Sequence, residues 1–179
     1  MSPLPLTVVA GYLGAGKTTF INRLLGGDHG LKLMVLVNDF GAINIDAGLI
    51  ASADGDTIAL TNGCVCCTMG SDLFMALGDA LDRTPRPDHL IVEASGVADP
   101  TRIANAALAE PDLSYAGILT LVDGLQIKGL SEDAMIGAQV REQISTADLV
   151  VVSKAQAIPP SLPGLTKAPL VLATQIEDP

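Results

Sequence analysis

Basic residues are scarce in this chain of 179 residues: ten lysines and arginines stand against twenty aspartates and glutamates, a formal net charge of −10. General nucleic-acid binding relies on basic groups to neutralise phosphates, so it is excluded as a role. Histidine is nearly missing: His29 and His89 lie far apart and form no metal-gathering tract. The three cysteines, Cys64, Cys66 and Cys67, are odd in number and crowded together, which excludes a disulfide framework. No apolar run approaches the roughly 18 residues that cross a bilayer, so no membrane partner is expected. The N-terminus also lacks the basic segment of a secretory signal. A cytoplasmic location is expected. With no repeat, low-complexity tract or linker, and 49% apolar residues, the chain reads as one domain over 1–179 with a sizeable core.

What is present centres on Gly11-Tyr12-Leu13-Gly14-Ala15-Gly16-Lys17-Thr18-Thr19. The spacing is that of a phosphate-binding P-loop: a glycine, four residues, then Gly-Lys-Thr. Before it, Leu6 to Ala10 is a short β-branched apolar run that reads as a buried strand. After it, Phe20, Ile21, Leu24 and Leu25 recur at helical spacing up to Gly26-Gly27. Strand, glycine loop and helix form the context that separates this motif from an ordinary Gly-rich turn. Backbone N–H groups of Gly11, Gly14, Ala15, Gly16 and Thr19 would surround phosphate oxygens, aided by the helix N-terminus. Lys17 would reach the β- and γ-phosphates, and the Thr18 hydroxyl would ligate Mg²⁺.

Further strands are expected at 31–37, 57–60, 89–93, 117–122, 149–153 and 170–173. They alternate with helices expected from Ser71 (Leu73, Phe74, Leu77 and Leu81 on one side), from Asp99-Pro100 to Ala109, and from Ser131 to Ile144 with Met135, Ile136 and Val140 inward. Such alternation predicts an α/β fold of the P-loop NTPase kind, with a mostly parallel sheet and helices on both faces. Ligands of such sheets collect beyond the carboxyl ends of the strands.

The polar clusters follow strands. Asn38 to Asp46 holds two carboxylates and a glycine in a loop where a nucleotide-responsive switch can sit; acidic loops are also commonly just solvated. Cys64-Val65-Cys66-Cys67 in an Asn62-Gly63 turn allows two or three thiolates to meet one soft metal ion, Zn²⁺ by default. Buried structural cysteines and a redox pair compete with that reading. Glu93, closing an apolar strand three residues before Gly96, supplies what a P-loop enzyme needs to hold Mg²⁺ and attacking water and to present an N–H to the γ-phosphate. A capped strand-to-helix turn is the alternative. Ser153-Lys154 ends a strand where GTPases carry their guanine-reading element.

Taken in order, these clusters resemble the CobW-type family of P-loop GTPases and metallochaperones, over nearly the whole chain. The Cys-x-Cys-Cys element between the P-loop and the acidic motif is the most specific part. The resemblance implies GTP hydrolysis with Mg²⁺, coupled to delivery of Zn²⁺ or Co²⁺ to a client metalloprotein, with self-association left open. It implies Lys17, Asp39 and Glu93 as catalytic, Thr18, Asp39 and Glu93 as magnesium ligands, and Cys64, Cys66 and Cys67 as zinc or cobalt ligands. Gly96, Ser153, Lys154 and Gln156 join the P-loop as nucleotide contacts. Asp39 stands where the family commonly has Glu, Ala42 where a second Glu is common, and Gln156 where guanine-reading Asp is usual. The family's smaller C-terminal domain is expected to be absent, and Ala157 to Gly164 is too Pro-rich for the usual helix. A nucleotide-gated metal-binding module with little turnover, or with relaxed GTP/ATP choice, is the alternative. A small-molecule kinase is a third option without an identifiable acceptor pocket.

Overall fold

The computed structural model describes residues 2–38, 57–60 and 71–176. Along the chain run β1 (Leu4–Ala10), α1 (Lys17–Gly26), β2 (Leu33–Asn38), β3 (Thr57–Leu60), α2 (Ser71–Leu81) and β4 (His89–Glu93). These are followed by α3 (Pro100–Ala109), β5 (Leu113–Asp123), α4 (Ile127–Glu132), α5 (Gly137–Ser145), β6 (Leu149–Ser153) and β7 (Leu170–Leu172). The seven strands form one sheet in the order β3-β2-β4-β1-β5-β6-β7, and every pairing is parallel. The predicted parallel α/β sheet is observed.

Alternating side chains divide the core between the two faces. On one face Leu6, Val8, Ala10, Leu36, Leu90 and Val92 are packed by α2 and α3 through Leu73, Leu77, Ile103 and Ala107. Val122, Val150 and Val152 are covered by Ile127 of α4 and by Val140 and Ile144 of α5. On the opposite face Val9, Val35, Ile91, Leu121 and Val151 pack against Ile21, with Phe20, Leu24 and Leu25 beside it. Because both faces are covered, the strands are near-continuous apolar runs, which is why they were readable. The start of α3 also follows expectation: Asp99 accepts a hydrogen bond from the Thr101 N–H at 2.9 Å, with Pro100 in the first turn. Residues 157–164 form turns with no helix, pinned by Leu162, which is fully buried.

Three expectations are corrected. The single helix expected over 131–144 is two, α4 and α5, joined by a turn at Asp133. The Asp133 carboxylate accepts hydrogen bonds from the N–H groups of Met135 (2.8 Å) and Ile136 (3.1 Å), offering the backbone an alternative to helix. Met135 is consequently 92% exposed rather than inward. Phe74 is also exposed, since the buried face of α2 is Leu73, Ala76, Leu77 and Ala80. Finally, β5 begins at Leu113, not at Gly117: Leu113 to Tyr115 pair with Leu4 to Leu6, and a register shift precedes Gly117, whose φ is 142°. A bulge with glycine at its end reads in sequence as a strand boundary.

At that bulge the Tyr115 hydroxyl donates to Asp148, which also accepts from the Ile118 N–H at 2.8 Å. Burial and then the Asp148 carboxylate push the Tyr115 phenol up to about 12. The folded state thus keeps a proton that the unfolded chain loses near pH 10. The resulting stability is present below about pH 10 and is lost as pH rises towards 12. In denaturant unfolding, the advantage of the parent over Tyr115→Phe should be constant at pH 7–9.5 and shrink above about pH 10; a pH-independent difference would contradict it.

Candidate functional site

The site lies at the carboxyl edge of the sheet, where β1, β4, β5 and β6 end side by side. Val9 pairs with Glu93, Ala10 with Thr120, and Asp123 with Ser153. Four consecutive strands of the sheet therefore discharge their loops onto one spot.

The glycine loop after β1 takes its shape from its neighbours. A Cβ on Gly11, whose φ is 137°, would stand 2.3 Å from the Leu121 carbonyl oxygen of β5, so no other residue fits there. Gly14 and Gly16 turn the loop with φ of 76° and 96°, and the Gly16 carbonyl accepts the Phe20 N–H at 2.9 Å, opening α1. Ala15 is buried, and its carbonyl accepts from the Ser153 hydroxyl at 2.8 Å. Thr19 is exposed on the first turn of α1. Lys17 is 8% exposed and donates to the Gly11 carbonyl at 2.9 Å. Burial pulls the Lys17 ammonium below its ordinary range, and the nearby Glu93 carboxylate opposes that pull. The Thr18 hydroxyl donates to Glu93 Oε1 at 3.4 Å. A threonine hydroxyl and a carboxylate that approach in this way are hard oxygen donors, the set that suits Mg²⁺.

The loop that follows Glu93 leans on the glycine loop. A Cβ on Gly96 would meet the Leu13 backbone nitrogen at 2.8 Å and Leu13 Cδ2 at 2.7 Å. From β6, Lys154 adopts φ 57° and directs its ammonium both to the Gly14 carbonyl (2.7 Å) and to Asp123 Oδ2 (2.9 Å). Gln156 is exposed two residues on.

The structure thus gathers Gly11, Gly14, Ala15, Gly16, Lys17, Thr18, Glu93, Gly96, Ser153 and Lys154 at one edge. Asp39, the remainder of the proposed switch, and Cys64, Cys66 and Cys67 lie outside the described residues. Among the described residues, no three His, Cys, Asp or Glu side chains gather as a metal site. Sequence reasoning missed three residues. Asp123, 5% exposed, holds Lys154; its signal was an acid ending the strand beside β6. Gln139 and Gln143 of α5 donate to carbonyls of the Gly96 loop, and nothing local in the sequence marks them.

A parallel sheet whose central strand ends in this loop, with a buried lysine and an acid from the next strand, defines a P-loop nucleotide-binding protein. The chain belongs to the CobW/HypB/UreG family: residues 5–168 match its nucleotide-binding domain. It is 33% identical over 184 residues to a zinc chaperone CobW of Sinorhizobium sp, covering 87% of this chain and 52% of that protein. Over 162 residues it is 33% identical to the zinc chaperone YjiA of Escherichia coli, covering 86% and 50%. The chain spans about half the length of these relatives. Its fold superposes on the Zn(II)-bound YjiA GTPase of E. coli with a TM-score of 0.60 at 26% identity, covering 86% of this chain and 50% of that one. Among the described residues no helix is long and apolar enough to cross a membrane.

Gly96→Ala tests the contact between the two loops. The Leu13 side chain can move aside but its backbone nitrogen cannot, so the Glu93–Gly96 loop must retreat. Overpacking of this kind costs about 1–3 kcal/mol. The expected outcome is triphosphate affinity lowered by about tenfold or more relative to diphosphate, with an unchanged circular dichroism spectrum. Equal losses for both nucleotides would show that Gly96 does not face the terminal phosphate.

Proposed function

We propose that this chain binds and hydrolyses GTP and couples its nucleotide state to the binding of Zn²⁺ or Co²⁺ and their delivery to a client protein. The observation that carries this reading is topological. β3 is parallel to β2 and pairs Leu60 with Asn38, so β3 ends at the same carboxyl edge of the sheet as β1, and in the sequence Cys64-Val65-Cys66-Cys67 begins four residues beyond Leu60. The family's zinc-chaperone relatives support the choice of cargo.

In the proposed mechanism the glycine loop wraps the phosphates and Lys17 leaves the Gly11 carbonyl for the β- and γ-phosphate oxygens. Thr18 and Glu93, with Asp39, would hold Mg²⁺, which neutralises charge on the transferring phosphoryl group. Glu93, its carboxylate beside Lys17, orients attacking water, and Asp39 is the second catalytic carboxylate. The Gly96 N–H meets the γ-phosphate, so loss of that phosphate releases the loop. Ser153 and the Lys154 stem flank the base, with Lys154 fastened to Gly14 and Asp123. The Cys64, Cys66 and Cys67 thiolates carry the cargo metal, with a fourth position left for a partner ligand. We place the protein in the cytoplasm, where thiols stay reduced, and take residues 1–179 as one GTPase domain.

Cobalt reports on the cargo site directly. Titrated under reducing conditions, the protein should develop a thiolate-to-cobalt charge-transfer band that is lost in Cys64→Ser/Cys66→Ser. Its midpoint should differ between nucleotide-free, GDP and GTP-analogue states, and by linkage cobalt should shift GTP affinity by the same factor. Identical midpoints in all three states would refute the coupling.

Gln156 generates a separate expectation. An Asp accepts from guanine N1–H and N2–H₂ with two oxygens, whereas a carboxamide presents one acceptor and one donor. The mismatch costs about 1–3 kcal/mol, roughly ten- to a hundred-fold in affinity. GTP preference over ATP should therefore be weak in the parent and rise by about tenfold or more in Gln156→Asp. A parent already selective by about a thousandfold, and unaffected by the substitution, would remove Gln156 from base reading.

A further inference from the structure

The Glu93–Gly96 loop is held from one side by the glycine loop and from the other by α5. Two glutamines one turn apart on α5 take three successive carbonyls of that loop. Gln143 Nε2 donates to Gly96 O at 3.1 Å and to Ala98 O at 3.0 Å, and Gln139 Nε2 donates to Val97 O between them. Because both partners of the Gln143 amide are carbonyl oxygens, the nitrogen must face the loop, and the orientation of the carboxamide follows. Gln143 is 2% exposed, and its Oε1 is buried without a hydrogen-bond partner. A buried acceptor left unpaired is costly, so a carboxamide here is a poorer core residue than an apolar one of equal size. What it supplies is two N–H groups aimed at the loop.

Gln143 fixes one of the two peptide planes beside Gly96, and the loop's own turn fixes the other. The plane joining Gly96 to Val97 is set by the bond from Gln143 to Gly96 O. The plane joining Ser95 to Gly96 is set by Ala98 N–H donating to Ser95 O at 2.9 Å. With a planar peptide on each side of Gly96 held, the direction of the Gly96 N–H is held too. A cavity of about 10 Å³, room for one water, lies among Tyr12 and Leu13 of the glycine loop, Ile127 and Leu130 of α4, and Val140, Gln143 and Ile144 of α5. The glutamine side chains hydrogen-bond the loop to α5. The main chain of Gln143 is anchored in turn, its carbonyl accepting from the Thr120 hydroxyl of β5 at 3.0 Å.

We propose that Gln143, assisted by Gln139, is the positioning residue that aims the Gly96 amide at the γ-phosphate, and that α5 is the element through which loss of that phosphate is felt outside the site. This rests on the GTPase reading above and names its regulation. When the loop lets go of a γ-phosphate and moves, three carbonyls pull on one helix, and α5 with the turn at Asp133 must follow or surrender the bonds.

The test compares Gln143→Met, which keeps the volume without the donors, with Gln143→Glu, which keeps the shape and turns an acceptor towards two carbonyls. GDP affinity, affinity for a non-hydrolysable GTP analogue, kcat and KM for GTP, and the melting temperature are measured for the full chain. The expected result is GDP affinity within about twofold of the parent, analogue affinity lower by about tenfold, and a similar fall in kcat, with Glu worse than Met. A purely structural glutamine would lower the melting temperature and leave the analogue-to-GDP ratio unchanged, and that outcome overturns the proposal while the GTPase reading stands. A parent that neither binds nor hydrolyses GTP overturns both. Should the Gln143 variants not fold, Gln139→Ala, at an exposed position, is expected to lower the analogue-to-GDP ratio by about two- to threefold; an unchanged ratio there also counts against the proposal.

Discussion

The whole site depends on two places where backbone touches backbone with no side chain between. Gly11 lies against the Leu121 carbonyl of β5, and Gly96 lies against the Leu13 nitrogen. The first contact seats the glycine loop on the sheet, and the second seats the acid loop on the glycine loop. A methyl group at either position displaces main chain, which cannot repack as a side chain can. The positions of Lys17, Thr18 and Glu93 follow from these contacts, because each side chain leaves a backbone already fixed. That is a sharper requirement than a glycine-rich turn, and its two contacts join residues 110 and 83 apart in the chain.

The parts of this arrangement legible in sequence were those written locally. Buried parallel strands are apolar on both faces, so β1, β4 and β6 announced themselves, and the glycine spacing marked the phosphate loop. Pro100 after Asp99 marked the start of α3 correctly. What failed were features set by competition or by distance. Asp133 breaks a convincing helical period by offering its carboxylate to two N–H groups. Phe74 fits the apolar stripe by spacing yet lies on its outer edge, leaving smaller Ala76 and Ala80 to pack the interior of α2. Gly117 suggested a strand end and is a bulge inside one. The site contacts of Asp123, Gln139 and Gln143 are made to partners 31 to 47 residues away, so no short window of sequence contains them.

The loops also differ in what holds them. The Ser153 hydroxyl and the Lys154 ammonium both end on carbonyls of the glycine loop, Ala15 and Gly14. Ser153 at the end of β6 and Lys154 just after it therefore brace that loop by its acceptors. The Gly96 loop is braced by the same logic, with α5 in place of β6. In both cases the donors come from the scaffold and the recipient is a backbone carbonyl, so this bracing uses none of the loop's N–H groups.

Under the proposed function a chain with net charge −10 accepts a polyanion at this edge. Screening at physiological salt confines the surface field to about 8 Å, so the acids that matter are those at the site itself. Glu93 and Asp123, at the ends of β4 and β5, are such acids, and each has a base beside it. Asp123 is held by Lys154 at 2.9 Å, and Glu93 faces Lys17. Neither base comes from the same strand as its acid: Lys17 follows β1 and Glu93 ends β4, while Asp123 ends β5 and Lys154 follows β6. Leaving one member of such a pair buried alone would be strongly unfavourable. Local neutrality is therefore reached when β4, β1, β5 and β6 stand in register, so assembling the sheet and making the edge receptive to phosphate are one event.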